Sequence, residues 1–126
     1  MAEVTTGTIF RTGINKSGTT IVKNRFISRG TTYREVVLPA AVTTLGEGVT
    51  TEDIVDQGAG SIQVEGVKEV ECSAAIAIGD MVQSGTDGRA ALAVTSSMIR
   101  GRAVSATTGS GQLVEVELWQ GRFIAP

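Results

Sequence analysis

The chain has 126 residues, 41% hydrophobic residues and a formal net charge of -2. This length suits one domain with a hydrophobic core, and no run of about 18 apolar residues is present that would predict a membrane span. Histidine is absent, which removes the commonest general base and the commonest metal ligand. The composition therefore argues against an enzyme and against a membrane protein.

The hydrophobic residues are mostly small or β-branched. Aromatic residues make up only 4% of the chain, and there are 16 glycines. Valine, isoleucine and threonine suit a pleated, half-buried surface, and glycine suits turns and bulges. The single cysteine, Cys72, excludes an intramolecular disulfide, favours folding in a reducing cytoplasm, and is interpreted as a small core residue. An all-β fold follows from this mixture.

Basic residues are concentrated near the N-terminus. Residues 1–34 contain six basic side chains and one acidic side chain, whereas residues 35–126 contain five and twelve. Residues 1–20 also lack a sustained hydrophobic period. We therefore predict an extended basic N-terminal arm over residues 1–32 and a folded domain over residues 33–126. A partly disordered, solvated leader is an equally open alternative for the first segment.

The first half of the chain contains two β-prone runs, residues 20–27 and 31–38, which predict a hairpin. Residues 50–55 begin with a helix-capping pattern and predict one helical turn. Residues 62–65 alternate cleanly, with Gln63 predicted to point outward. The apolar residues are expected to change from one face of the strand to the other across Gly66, which predicts a β-bulge or a strand corner there.

In the second half, Asp87 and Gly88 predict a hairpin between residues 81–84 and 89–94. Further strands are expected over residues 99–105 and 113–118. The predicted fold is a compact antiparallel β barrel or sandwich, with an extended N-terminal arm and at most one or two short helical turns. Its expected core residues are Ile62, Val64, Val70, Leu92, Val104, Val114, Val116 and Leu118.

A weak internal echo relates two parts of the chain. Residues 48–65 and 101–116 each contain a short strand, a loop of small residues, and a longer alternating strand. The two units are short of a true repeat array. We expect them to pack as related halves of a barrel.

Four acidic residues in one region raise the alternative of a calcium site: Glu47, Glu52, Asp53 and Asp56. Their spacing is not that of a known calcium loop, so a solvated acidic loop is favoured. Asp80 is interpreted as a turn residue whose carboxylate binds its own backbone. The thinly spread basic residues and the acidic body argue against nucleic acid. We predict neither a metal site nor a cofactor.

Several segments share their order and spacing with a known family. They are residues 33–41, 48–50, 60–66, 74–82, 87–90, 100–104 and 111–116. Together they span residues 33–120 and resemble the capsid cement (head decoration) proteins of tailed bacteriophages. The resemblance implies a compact β-barrel-like structural protein without catalytic residues, made in the host cytoplasm, that binds the outer surface of the phage head and stabilises the lattice of major capsid proteins.

The resemblance also implies a homo-oligomer, with a trimer preferred over a dimer. Trp119 and Phe123 are the expected oligomer contacts, because aromatic residues are enriched at interfaces. That Trp119 instead caps the core of its own domain is an equally open alternative. A host- or polysaccharide-binding β module of a phage tail or spike is an alternative, although it calls for more exposed Trp and Tyr. A small-molecule-binding β module is a further alternative, supported only by the turn at residues 78–80.

The basic segment is the candidate contact surface for the major capsid protein. Its charged side chains would meet acidic groups of the capsid, and two apolar side chains would anchor them, because exposed ion pairs contribute only about 0–1 kcal/mol each. The predicted contact residues are Phe10, Arg11, Ile14, Lys16, Lys23, Arg25 and Arg29.

Overall fold

The computed structural model describes residues 8–32, 34–41, 46–119 and 124–125. Every regular element in these ranges is a β-strand, which confirms the all-β prediction. The nine strands are β1 (Ile9–Asn15), β2 (Phe26–Arg29), β3 (Glu35–Val37), β4 (Gly46–Thr50), β5 (Ala59–Glu71), β6 (Met81–Ser84), β7 (Ala90–Leu92), β8 (Gly101–Ala103) and β9 (Leu113–Leu118). No helix in the described ranges is long and apolar enough to cross a bilayer.

The first five strands close into a barrel in the order β1–β3–β2–β4–β5, because β1 also pairs with β5. β1 runs antiparallel to β5 from Ile9, opposite Glu65, to Ile14, opposite Ala59. On its other side β1 is parallel to β3, where Ile14 lies opposite Glu35. Closure satisfies the backbone groups that an open sheet edge would expose.

The remaining strands form a second sheet on the other half of β5. The order continues β5–β9–β8–β6–β7, and all these pairs are antiparallel. A parallel bridge between Cys72 and Ala90 brings β7 back beside the end of β5. The molecule therefore has two halves, a closed barrel and a nearly closed sheet, which share one strand of 13 residues.

Gly66 is the corner at which β5 passes from one half to the other. Its φ is +100°, a backbone conformation that residues other than glycine rarely adopt. Glu65 pairs with β1 and Gly66 pairs with β9, so the change of partner takes place between consecutive residues. The predicted corner is confirmed at this position.

One detail of the predicted alternation in β5 is wrong. Gln63, expected to point outward, is only 4% exposed, and the register between β1 and β5 shifts beside it, between Ile9 and Phe10. The buried amide donates to the carbonyls of Glu65 and Val67, both at 3.0 Å, and so braces the corner. Val64 and Val70 are both buried, but in different cores, one on each side of the corner.

Each half has its own hydrophobic core. The barrel core contains Ile21, Ile27, Val36, Ile62 and Val64. The core of the second half contains Phe26, Val49, Val70, Cys72, Ile76, Val82, Ala90, Ala103, Val114 and Val116. Phe26 and Ile27 are neighbours on β2 with opposite faces, so this strand contributes to both cores. Leu118 packs against the second core.

Five of the predicted core residues are fully buried: Ile62, Val64, Val70, Val114 and Val116. Leu92 and Val104 are not core residues, since they are 54% and 37% exposed. Leu92 is the last residue of β7, and Val104 follows the end of β8. The alternation in the sequence continues through both positions, but the strands that would bury them stop there.

The predicted pairing of residues 20–27 with 31–38 is confirmed, with shifted boundaries. β2 and β3 are antiparallel, with Ser28 opposite Val37, and the connection is residues 30–34. Residues 50–55 do not form the expected helical turn, because Ile54 makes a β-bridge with Ile21. The β6–β7 hairpin is confirmed around the turn that contains Gly88.

The two units of the internal echo occupy corresponding places. β4 pairs with β5, and β8 pairs with β9, antiparallel in both cases. The four strands lie side by side in the order β4–β5–β9–β8. The units belong to the two different halves of the molecule rather than to one barrel. The two units of the echo therefore correspond to the β4–β5 pair in the barrel and the β8–β9 pair in the second half.

The N-terminal segment does not project from the folded domain. Residues 9–15 form β1 and residues 26–29 form β2, so a boundary at residue 32 would cut through the barrel. The buried Asn15 fixes this segment by donating to the carbonyls of Thr19 and Ile54, both at 2.8 Å. Residues 1–7 lie outside the described residues. That residues 1–32 extend as an arm onto a partner surface stays a prediction.

Val116 tests the placement of the second core. It is fully buried, and Val67, on the strand paired with it, is 52% exposed. We expect Val116→Ala to lower the free energy of unfolding by about 1–3 kcal/mol, through lost burial and a residual cavity. Chemical denaturation would measure this change. Val67→Ala is the matched control, and a loss below about 0.5 kcal/mol for Val116→Ala would contradict the assigned strand faces.

Candidate functional site

Two of the predicted contact residues converge on one carboxylate. Nη1 of Arg11 lies 2.6 Å from Oε2 of Glu47, and Nη2 of Arg29 lies 3.3 Å from Oε1 of the same group. The arginine side chains are 50% and 65% exposed, whereas that of Glu47 is 14% exposed. A largely covered carboxylate thus holds two exposed guanidinium groups side by side.

The position of Glu47 follows from an irregularity in the β2–β4 ladder. Ile27 lies opposite Gly48, and the next residue, Ser28, lies opposite Gly46, so Glu47 is an extra residue on β4. Such a bulge re-aims a side chain out of the regular alternation. Here it brings the carboxylate of Glu47 between Arg11 on β1 and Arg29 at the end of β2.

These side chains line a cleft at one end of the barrel, which we call the barrel mouth. It has a volume of about 300 Å³ and is lined by Arg11, Thr12, Arg29, Arg34, Glu35, Val36, Glu47 and Ile62. The buried side chains of Val36 and Ile62 contribute apolar surface, and the other lining residues are polar or charged. The mouth of a β-barrel is a common place for a ligand site.

Glu35, the second carboxylate at the barrel mouth, is engaged by its own turn. Its Oε1 accepts hydrogen bonds from the hydroxyl of Thr31 at 2.9 Å and from the backbone N–H of Thr32 at 3.2 Å. These donors lower the pKa of Glu35. The carboxylate therefore stays ionised at neutral pH and closes the turn that precedes β3.

The other predicted contact residues are dispersed over the surface. Nζ of Lys16 donates to Gln57 at 2.7 Å, and Lys23 is exposed where its backbone N–H donates to Asp53. Arg25 points toward the second half, 3.1 Å from Glu71. Of the two apolar residues, Phe10 is 55% exposed next to Arg11 on β1, and Ile14 is half-buried. Pairing of β1 inside the barrel separates residues that the sequence places close together.

The acidic residues considered as a calcium site are also separated. Glu52 accepts from the backbone N–H of Ser61, Asp53 from that of Lys23, and Asp56 from that of Gly18, at 2.8–3.0 Å. Each carboxylate closes a different loop contact. Among the described residues, no group of three or more potential metal ligands is found.

Two other sequence interpretations are confirmed by contacts. Cys72 is fully buried, with its sulfur 3.3 Å from the hydroxyl oxygen of Thr107. Asp80 is a turn residue, because its carboxylate accepts from the backbone N–H of Ala77 at 2.8 Å. Both residues therefore have structural roles in the second half.

Arg100, which sequence reasoning did not single out, is a buried cation between the two halves. It is 6% exposed and donates to the carbonyl of Ile27 and to the hydroxyl of Ser28, both at 3.1 Å. Its guanidinium carbon lies 5.5 Å from the centroid of the Phe26 ring. Burial lowers the pKa of Arg100 to about 10, so the side chain is still charged at neutral pH. These contacts connect the segment before β8 to β2.

A narrow fissure beside Arg100 is lined by one of the predicted oligomer contacts, Trp119. The indole side chain is half-buried, and its Nε1 lies 3.5 Å from Oε1 of Glu117. The other predicted oligomer contact, Phe123, lies outside the described residues. Trp119 therefore packs partly against its own domain.

The role of Arg100 can be tested by truncation. We expect Arg100→Ala to lower the free energy of unfolding by about 2–4 kcal/mol, because it leaves buried acceptors on β2 without their donor and removes packing. Arg102→Ala is a suitable control, since this arginine is 51% exposed and its pair with Glu117 is solvent-accessible. The control should cost less than about 1 kcal/mol. Equal losses for the two variants in urea denaturation would contradict the linking role.

The comparisons with known proteins concern the fold. No protein-family model matches the chain, and no curated protein sequence matches it. Among solved structures, the chain is similar to the N base of head fiber gp8.5 of bacteriophage phi29, with a TM-score of 0.70 and 21% sequence identity. The similarity covers 93% of this chain and 98% of that chain. At this level of identity, the likeness shows a shared fold.

Proposed function

We propose that the chain is a structural protein of a tailed-bacteriophage particle, which binds the outer surface of the head and stabilises the lattice of major capsid proteins. The observation that carries this proposal is the fold similarity to a phage head fiber base over 93% of the chain and 98% of the other protein. Since almost the whole of each chain takes part, the similarity is not limited to a common barrel motif.

A non-enzymatic role is part of the proposal. The structural neighbour is a component of a head fiber, and the chain contains no histidine. The carboxylates of the acidic loops close backbone turns instead of converging on a shared site. In this interpretation the molecule acts through the surfaces that it presents.

Lattice stabilisation would follow from binding equilibria. A protein that binds the assembled shell more tightly than it binds free subunits shifts the equilibrium toward the shell. Many symmetric copies on one particle make weak individual contacts sufficient. The closed barrel suits such a role, because its paired strands leave few backbone edges for unwanted association.

We propose that the basic surface on β1 and β2 makes the contact with the major capsid protein. Phe10, Arg11 and Arg29 are half or more exposed and lie on elements that the barrel holds in place. The backbone of this surface is already ordered in the barrel, so binding costs less conformational entropy than the ordering of a flexible arm.

Trp119 bears on the alternative of a polysaccharide-binding tail module. Sugar-binding surfaces present exposed aromatic rings, and this indole is half-buried beside Arg100. Tyr33 lies outside the described residues. The fold similarity to a head component favours the head over the tail.

We further propose that the chain forms a homo-oligomer on the head, with a trimer preferred over a dimer. Trp119 and Phe123 remain the proposed contacts. Additional apolar surface is exposed at the far end of the second half, where Met81, Leu92 and Val94 are 44–54% exposed around a common cleft. Light scattering of the purified protein should give a mass above that of the 13.0 kDa monomer. A monomer at all concentrations, with isolated single copies on heads, would contradict this proposal.

Reconstitution tests the central function. Purified protein would be mixed with undecorated heads of the phage whose genome encodes it, and bound protein separated by sedimentation. We expect saturable binding and a higher temperature of DNA release or shell disruption for the decorated heads. The Arg102→Ala variant would serve as a binding-competent control. Absence of binding to heads, together with binding to purified tails, would contradict the proposal.

A further inference from the structure

We infer that the barrel mouth is a receptor for a carboxylate side chain of an acidic protein segment on the head surface. The inference rests on the proposed function for its partner, and it names the chemistry of that contact. Its basis is the pair of exposed guanidinium groups, Arg11 and Arg29, held at the rim of a cleft of about 300 Å³.

The two arginines retain donors for an incoming anion. Arg11 uses Nη1 to contact Glu47, and Arg29 uses Nε and Nη2. A guanidinium carries five N–H groups in a fixed plane, which suits bidentate binding of a carboxylate. Because the side chains are 50% and 65% exposed, the remaining N–H groups are accessible from solvent.

Glu47 orients both arginines before a ligand arrives. A bulge on β4 places its carboxylate between them, and the side chain is only 14% exposed. Pre-orientation reduces the side-chain entropy that binding would otherwise cost. The same carboxylate competes with a ligand for the arginines, and this competition is what the test below exploits.

The charge of the cleft favours an anion of low charge. Three arginines and two glutamates line it, which leaves an excess of one positive charge. Glu35 is engaged by Thr31 and Thr32, whereas Glu47 contacts Arg11 and Arg29 directly. The apolar surface of Val36 and Ile62 would contact the methylene groups of an acidic side chain.

A protein carboxylate fits these features better than a nucleic acid. Backbone binding of nucleic acid uses several basic residues along an extended track. Here the basic residues outside the barrel mouth are dispersed, and Arg25 is paired with Glu71 in the other half. The chain as a whole carries a net charge of -2, which opposes a polyanion. The cleft suits one or two side chains.

The test measures binding to undecorated heads for four proteins: wild type, the double variant Arg11→Gln with Arg29→Gln, Glu47→Gln, and Arg102→Gln. We expect about tenfold weaker binding for the double variant, since two charge-assisted contacts are removed. Glu47→Gln should bind about threefold more tightly, because the competing negative charge is gone while the amide oxygen can still accept hydrogen bonds that orient the arginines. Arg102→Gln should bind like the wild type, because Arg102 is as exposed as Arg11 but lies in the other half.

A second arm uses defined probes. Hexaglutamate, hexaglutamine and a poly-dT oligonucleotide would be titrated into isotope-labelled wild-type protein, and the Nε–H signals of Arg11 and Arg29 followed by NMR. Hexaglutamate should shift both signals, and the shifts should vanish as salt rises. Hexaglutamine should leave them in place, and unchanged melting temperatures would show that the variants are folded.

The outcomes separate this inference from the proposed function. Wild-type binding to heads with no loss in the double variant overturns the carboxylate receptor and leaves head binding intact. If the wild type does not bind heads, the proposed function fails. Hexaglutamate shifts would then still support the site. Shifts with poly-dT and none with hexaglutamate would overturn the inference and assign the cleft to nucleic acid.

Discussion

One continuous strand of 13 residues, β5, belongs to both halves of the molecule, and the rest of the fold depends on it. Its first part pairs with β1 and β4 to close the barrel, and its second part pairs with β9 to begin the other sheet. The change of direction requires the positive φ of Gly66 and the buried amide of Gln63, which bonds carbonyls on both sides of the corner. Arg100 adds a link by bonding the carbonyl of Ile27, and the backbone N–H of Phe26 adds another by donating to the carbonyl of Gly88 at 2.7 Å. The two halves are therefore joined at several places.

This arrangement explains how a chain with few aromatic residues retains two cores. Phe26 lies in the core of the second half and Ile27 in that of the barrel, although the two residues are adjacent on β2. Alternation along a strand allows both faces to be buried when a layer lies on each side. Both faces of this short strand are therefore buried, each in a different core. A consequence for function is that Arg11 and Arg29, at the rim of the barrel, lie on strands that are hydrogen-bonded to neighbours on both sides.

Strict alternation in the sequence predicted the long strands well, since a period of two has one physical interpretation on a half-buried sheet. Val114 and Val116 are buried and Glu115 and Glu117 exposed, as the pattern of β9 indicates. Leu92 was predicted wrongly because alternation does not tell where a strand ends. Residues 9–15 lack a clear hydrophobic period because their first four residues are exposed and the two buried positions are Gly13 and Asn15. Their place in the barrel was therefore not predictable from an apolar pattern.

For the same reason, only part of the candidate site could be predicted from the sequence. The excess of basic residues near the N-terminus drew attention to Arg11 and Arg29, but composition does not show which of the basic residues meet. Arg34 completes the cleft because the turn before β3 brings it there. Arg100 looks like one more surface charge in the sequence, and it is buried because β2 supplies two acceptors at the junction.

A cryo-electron microscopy map of the intact particle tests the central claim most directly, because it locates the protein and its contact face in one measurement. The account predicts repeated two-lobed density on the outside of the head, with the barrel mouth toward an acidic segment of the major capsid protein. Density confined to the tail, or density on the head with Arg11 and Arg29 facing solvent, would contradict it.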